Sequence, residues 1–258
     1  LVGSIMTEPL PRSRPVAALW DNREPMTWFS YVLVPWAAVV AVLVSAFCLL
    51  FALPTILVPR GNRERYCFWT NRLASWVILR LGLFARPHLQ GSENLPVGQP
   101  YLLISNHRSF VDVLLLIWAG HTQGISKSQV FWFPVMGLLG YLGGAVFFNR
   151  MDPQDRRRAK DEALMLIKSS RALHVYPEGT RARSRSQTTQ EKVYTGLVRA
   201  AFDAGIPVVP AAVWGTDTVI PATNRGIRFG QRVYAQFGAP IAPQDYTGRK
   251  VRVRGWLK

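Results

Sequence analysis

The sequence is short of acid: 15 Asp and Glu stand against 31 Lys and Arg, a formal net charge of +16. It is equally short of cysteine, with only Cys48 and Cys67. Their spacing fits neither a metal site nor a redox pair, so both read as reduced thiols and a disulfide framework is excluded. No internal repeat and no low-complexity segment occurs. The basic surplus is not that of a disordered tail, because 49% of residues are hydrophobic and 12% aromatic. No basic–aromatic nucleic-acid motif accompanies it, so a nucleic-acid partner is not expected. A chain both basic and oily suits an anionic lipid surface. Its 258 residues leave room for one sizeable α/β domain with an appendage.

Charge of either sign is missing between Glu24 and Arg60. The run "WFSYVLVPWAAVVAVLVSAFCLLFALPTILV" inside that gap exceeds the roughly 20 residues that span a hydrocarbon core. It is too long for a signal-peptide core and no cleavage-like site follows it. Trp28, Tyr31 and Trp36 suit the headgroup zone, and Pro35 and Pro54 bracket the most helix-compatible part. The charges that follow are mostly positive (Arg60, Arg63, Arg65 and Arg72 against Glu64), which places the remainder on the cytoplasmic side of a membrane. The expectation is an N-terminal membrane helix or helical hairpin that crosses the bilayer or dips into one leaflet. "LASWVILRLGLFA" (73–85), interrupted by Arg80, reads as an interfacial or packing helix. The organisation expected is a loose leader over 1–25, a membrane-associated helical segment over 26–86 and an α/β domain over 87–258.

Beyond residue 87, short apolar runs alternate with amphipathic stretches. Strands are predicted at 101–105, 145–148, 172–176, 207–213 and 232–237, and helices at 109–119, 153–169 and 191–204. Asp152 as cap, Pro153 at the first helical position and Asp155 in the first turn support the middle helix. The alternation predicts an α/β fold, a mixed, largely parallel sheet flanked by helices. The uncharged stretch 129–148 contains Pro134 and glycines 137, 140, 143 and 144; it reads as a membrane-proximal helix and turn followed by a strand, not a second span.

Two polar islands interrupt the oily pattern. The first is Asn106-His107-Arg108-Ser109, with Asp112 early in the next apolar run. Ser109 and Asp112 have capping-box spacing, so Asp112 could serve only to start a helix. The same placement also allows Asp112 to accept a proton from one ring nitrogen of His107, leaving the other as a base near neutral pH. The second island, "HVYPEGTRARSRS" (174–186), follows a predicted strand, where α/β proteins place ligand loops. Gly179 would let the chain turn, and the arginine forks suit a phosphate monoester. Arg150 follows the predicted strand 145–148 and Lys127 follows "GIS"; each is a single cation that, taken alone, reads more often as surface decoration than as a site.

Together these islands resemble the glycerolipid acyltransferase family, most closely the lysophosphatidate acyltransferases. Asn106, His107 and Asp112 match N-H-x-x-x-x-D; Gly144, Phe147 and Arg150 match G-x-x-F-x-x-R; Tyr176 to Arg181 match [FY]-P-E-G-T-R; and Val209-Pro210 match an apolar V-P strand. The resemblance implies a glycerol-phosphate acyltransferase-like fold. It also implies acyl transfer from acyl-CoA or acyl carrier protein to the free hydroxyl of a membrane-borne lysophospholipid, with no metal and no resident cofactor. His107 would be the base and Asp112 its orienting partner. Arg150, Glu178, Gly179, Thr180, Arg181 and Lys127 would form the substrate phosphate site. One departure stands out: family members often carry lysine two residues before the glycine at 196, where this chain has Tyr194, with Lys192 two places earlier. Glycerol-3-phosphate or another lysophospholipid as acceptor, and a non-catalytic anionic-membrane-binding module, remain the alternatives.

Overall fold

The structure, a computed structural model, describes residues 28–52, 57, 59–96, 98–132, 137, 140–141, 143–169, 172–179, 181, 195–221 and 226–245. The expected leader, Thr180, Lys192 and Tyr194 lie outside them. The chain runs α1 (Trp28–Ala52), α2 (Arg60–Val77) continued by a π turn (Ile78–Gly82), β1 (Arg86–Gln90), β2 (Tyr101–Ser105), α3 (Val111–Ala119), β3 (Gln123–Lys127) and α4 (Ser128–Phe131). It continues through β4 (Val146–Phe148), α5 (Pro153–Lys168), β5 (Ala172–Val175), α6 (Gly196–Asp203), β6 (Val208–Trp214), α7 (Thr216–Val219) and β7 (Arg232–Phe237).

The seven strands form one sheet in the order β1-β7-β6-β2-β5-β3-β4. The five strands from β6 to β4 are mutually parallel. Strand β7 runs antiparallel to β6, and β1 parallel to β7. The expected mixed, largely parallel α/β sheet is therefore present. Central β2 is buried at every position, as a strand covered on both faces must be. Tyr101 and Leu103 enter a core shared with α3 and the π turn; Leu102 and Ile104 enter the opposite core with α5 and α6. Because β2 to β6 point one way, their C-terminal ends share one edge of the sheet, and ligands of open α/β sheets bind along that edge.

Two strands escaped the sequence pattern. In β1, Pro87 weakens the strand signal, yet proline is tolerated at a sheet edge, which is where β1 lies. In β3, "QGISK" holds Gly124, a weak strand former kept for a packing reason given below. The helix predicted to start at 109 starts at Val111, because Ser109 and Phe110 form the turn that leads into it. The α5 start is as read: Asp152 Oδ1 accepts from Gln154 N, with Pro153 first in the helix.

Helix α1 is uncharged, with Pro35 inside it. It lies antiparallel to α2 and the π turn: the Trp36 indole donates to Leu81 O near one end (2.9 Å), and the Cys48 thiol faces Thr70 O near the other (3.9 Å). Among the described residues, no helix is long and apolar enough to cross a membrane. The expected membrane-crossing helix is thus not shown, whereas pairing of α1 with α2 is. Residues 73–85, expected as an interfacial or packing helix, form the end of α2 and the π turn and bury Ala74, Ser75, Leu79 and Leu83. From α2, Arg72 donates through Nε to Trp118 O at the end of α3 (2.9 Å), and its Nη2 meets His121 Nε2 at 2.8 Å. The helix pair and the α/β layer are joined through α3.

Candidate active site

The chain leaves β2 at the shared edge, and Asn106 locks the exit. Its amide donates to Val213 O and accepts from Val213 N, both at 2.7 Å. This pair of hydrogen bonds to β6 extends the β2–β6 ladder by side chain after the backbone has turned away. The next residue, His107, is thereby set over the start of α3.

Asp112, in the first turn of α3, is fully buried. Its Oδ2 accepts from the Arg108 and Ser109 backbone N–H groups (2.6 and 2.8 Å) and lies 3.0 Å from His107 Nδ1. An ionised carboxylate only accepts, so Nδ1 carries the proton and Nε2 bears the free lone pair. Ser109 Oγ accepts from Val111 N (3.2 Å) and donates to Ile220 O (2.7 Å). Helix starting and histidine orientation are therefore one arrangement: the same carboxylate oxygen does both. Ser109, with its hydroxyl engaged, is not a nucleophile. The His107 side chain keeps 16% of its surface exposed while Asp112 keeps none, so the imidazole is reachable and its partner is not.

The loop after β5 closes over this pair. Tyr176-Pro177-Glu178-Gly179 forms a turn in which Gly179 N donates to Tyr176 O (2.9 Å). Gly179 has φ +70°, a backbone state that side chains with Cβ resist. The turn stacks the Tyr176 ring on the His107 ring, centroids 3.9 Å apart and planes 13° from parallel. It also brings Glu178 to the backbone N–H of His107, which donates to its carboxylate. Burial pushes the Glu178 carboxyl up to about 7, with the Asp112 charge adding to the rise; Arg108 and the His107 N–H pull the other way.

Arg108 also pairs with Asp217 of α7 at 3.7 Å. Burial raises the Asp217 carboxyl above its ordinary range, against the pull of Arg108. Asp217 was missed in the sequence, although Gly215-Thr-Asp after the predicted strand 207–213 was the available signal. Gly215 has φ +78° and turns the chain back across the same edge.

The residues expected to meet a phosphate are placed more loosely. Lys127 ends β3, exposed, and pairs in register with Phe148 of β4. Arg150 follows β4 by two residues and is partly buried. Its carbonyl accepts from Arg156 (3.1 Å), and the Asp155 carboxylate holds Asn149 N (2.6 Å), so α5 fixes that loop. With strands about 4.8 Å apart, Lys127 and Arg150 sit roughly 10 and 14 Å along the edge from the end of β2. Arg181 lies partly buried beyond the turn. Glu178 thus meets His107 through the His107 N–H, on a loop turned by Gly179, whereas Lys127 and Arg150 lie farther along the same edge. Among the described residues, no three His, Cys, Asp or Glu side chains gather as a metal site.

A basic, edge-mounted His–Asp pair of this kind can take a proton from a hydroxyl that attacks a carbonyl. A family model described as Acyltransferase matches residues 86–214, half of the chain's 258. A curated relative from Brassica napus, 1-acyl-sn-glycerol-3-phosphate acyltransferase BAT2, is 31% identical over 176 residues, covering 67% of this chain and 50% of that protein. The 1-acyl-sn-glycerol-3-phosphate acyltransferase of Saccharomyces cerevisiae is 28% identical over 222 residues, 83% of this chain and 71% of that one. The chain spans about half the length of the Brassica relative and of a similar Arabidopsis thaliana protein. The crystal structure of a 1-acyl-sn-glycerophosphate acyltransferase from Thermotoga maritima superposes with a TM-score of 0.72 over 89% of this chain and 91% of that one, at 21% identity, a likeness of fold. The family match takes in His107, Asp112, Lys127, Arg150 and the Glu178–Arg181 loop, and by it the chain belongs to the Acyltransferase family.

Proposed function

We propose that this protein is an O-acyltransferase that moves an acyl chain from a thioester donor, acyl-CoA or acyl carrier protein, to the free hydroxyl of 1-acyl-glycerol-3-phosphate, giving phosphatidate. The observation that carries the reading is the 3.0 Å contact between His107 Nδ1 and the buried Asp112, which leaves Nε2 of a reachable imidazole as the base. As the acceptor oxygen attacks the thioester carbonyl, its proton passes to Nε2, and Asp112 stabilises the imidazolium. Collapse of the tetrahedral intermediate expels the thiolate, to which the proton returns. The attacking hydroxyl comes from the acceptor, so no acyl-enzyme forms. Arg150, Arg181 and Lys127 would meet the acceptor phosphate, with Glu178 and Gly179 shaping the loop and Thr180 continuing it. The names of the relatives support the acceptor.

The paired helices supply the membrane attachment in this reading. Val32, Trp36, Val39, Val42, Leu43, Phe47 and Leu50 of α1 are exposed, as are Tyr66, Trp69, Leu73 and Trp76 of α2. An apolar surface of that size suits insertion into a leaflet, and the basic surplus suits anionic headgroups on the cytoplasmic side.

The decisive experiment offers acyl-CoA and acyl carrier protein in turn with lysophosphatidate, glycerol-3-phosphate and lysophosphatidylcholine, for the unsubstituted chain and His107→Ala. Lysophosphatidate is expected to be the preferred acceptor, and His107→Ala to lose activity by about 100- to 10,000-fold. Activity near the unsubstituted level in His107→Ala would sink the base assignment; preference for glycerol-3-phosphate would move the acceptor.

A further inference from the structure

We infer that Tyr176 is a positioning residue for His107: stacked on the imidazole and backed by a buried His174–Thr122 pair, it sets the ring plane in which Nε2 meets the acceptor. The inference rests on the acyl-transfer reading above and deepens it.

The hydrogen bond to Asp112 fixes one atom of the imidazole, Nδ1, and leaves the ring free to tilt about that contact. The Tyr176 face, 3.9 Å away and nearly parallel, removes the remaining freedom. Tyr176 is itself held from behind. His174 on β5 meets it edge-to-face, centroids 5.4 Å apart and planes at 64°, and is completely buried. His174 Nδ1 lies 2.9 Å from Thr122 Oγ1, and that hydroxyl donates to Leu116 O (3.1 Å). With its only proton committed, Thr122 accepts, so His174 Nδ1 carries the hydrogen. Burial, with the nearby His107 charge adding to it, lowers His174 to about 3 and keeps it neutral. On β3, Gly124 lies directly opposite His174, and a Cβ there would come within 2.9 Å of Nε2. The column Thr122–His174–Tyr176–His107 is wedged along its length.

Such a column has a use in the reaction. When the acceptor O–H breaks and the N–H forms at Nε2, the imidazole becomes a cation against an aromatic face. That contact favours the charged state by a factor of about 2 to 30. Misplacement of the base by about 1 Å can cost about 100-fold in rate. The charged groups around His107 are Asp112 on α3, Arg108 with Asp217 of α7, and Glu178 beyond β5. Substitution at Tyr176 leaves all of them in place.

The test compares Tyr176→Phe with Tyr176→Leu and Tyr176→Met in the full chain. Tyr176→Phe keeps the stack and is expected to hold kcat within about 3-fold. Tyr176→Leu and Tyr176→Met are expected to lose about 10- to 100-fold in kcat, with KM for lysophosphatidate within about 2-fold. Selective labelling of the four histidines gives a readout independent of turnover. The His107 Hε1 resonance should show an upfield ring-current shift that survives in Tyr176→Phe and vanishes in the other two. Unchanged kcat in Tyr176→Leu and Tyr176→Met, or an unshifted resonance in the unsubstituted protein, overturns the inference. If the unsubstituted protein transfers nothing to lysophosphatidate, the functional reading fails, and the ring-current shift alone decides whether the stack positions His107.

Discussion

At the scale of single residues the site concentrates its buried charge around one histidine. Asp112, Glu178 and Asp217 all approach the turn that carries His107 and Arg108, and among the described residues Asp112 Oδ1 has no hydrogen-bond partner. Glu178 is the member whose proton is poised to move. Its carboxyl is raised by burial from an ordinary 4.5 to about 7, so the native chain binds that proton more tightly than the unfolded chain. Its contribution to stability is full below about pH 4.5 and is lost as pH rises through about 7. Glu178→Gln keeps an acceptor for the His107 N–H and removes the titration. Thermal melts from pH 5 to 8 should show the unsubstituted protein losing Tm relative to Glu178→Gln, with most of the change between pH 5 and 7. Parallel curves would mean that the carboxyl titrates in its ordinary range. Little of this could be read along the chain. The N-H-x-x-x-x-D and P-E-G-T-R motifs identified His107, Asp112 and the Glu178 loop by resemblance; of their contacts only that of His107 with Asp112 is local in the chain, and Glu178 reaches the His107 N–H only once β5 lies beside β2. Asp217 and Tyr176 act through contacts made only once β6 and β5 lie on either side of β2.

At the scale of elements, five of the seven strands were legible as short apolar runs, and the residues Pro87 and Gly124 hid β1 and β3. Strands β2, β4, β5, β6 and β7 were found because each carries a run of apolar residues into a core. Strand β3 was hidden because its one buried side chain, Gln123, is polar and Gly124 breaks the apolar pattern. The glycine is explained by its neighbour: His174 is fixed by Thr122 and cannot withdraw from an added methyl group. Gly124→Ala is therefore expected to destabilise the fold by about 1–3 kcal/mol through overpacking. His174→Ala opens space beside the same position, so the double variant should be less destabilised than the sum of the two, by about 1 kcal/mol. Denaturant unfolding of the four proteins measures the coupling. Strict additivity would mean that Gly124 is not there to make room for His174.

At the scale of the whole molecule, the sheet edge that carries His107 is tied to the paired helices by Arg72, which caps α3 from α2, and by Leu79 and Leu83, which share a core with Leu114 and Val209. If the outer face of α1 sits in a leaflet, it fixes the height and tilt of the edge relative to lipid headgroups. Val32, Trp36, Val39, Val42, Leu43, Phe47 and Leu50 fall within an arc of about 140° at 3.6 residues per turn. Each buried side chain contributes about 1.5–3 kcal/mol. The net charge of +16 attracts anionic lipid as well, but salt screens that attraction over about 3 Å at 1 M, whereas apolar insertion persists. Flotation with vesicles of phosphatidylglycerol and phosphatidylcholine separates the two contributions. The unsubstituted protein should remain bound at 1 M salt, and Val42→Glu/Leu50→Glu should be released. Neither residue approaches His107 in the chain or lines the sheet edge, so the double variant should still acylate detergent-dispersed lysophosphatidate while losing activity on the same lipid in vesicles. Release of the unsubstituted protein by salt alone would show that basic charge, and not the helix pair, holds the protein to the vesicle surface.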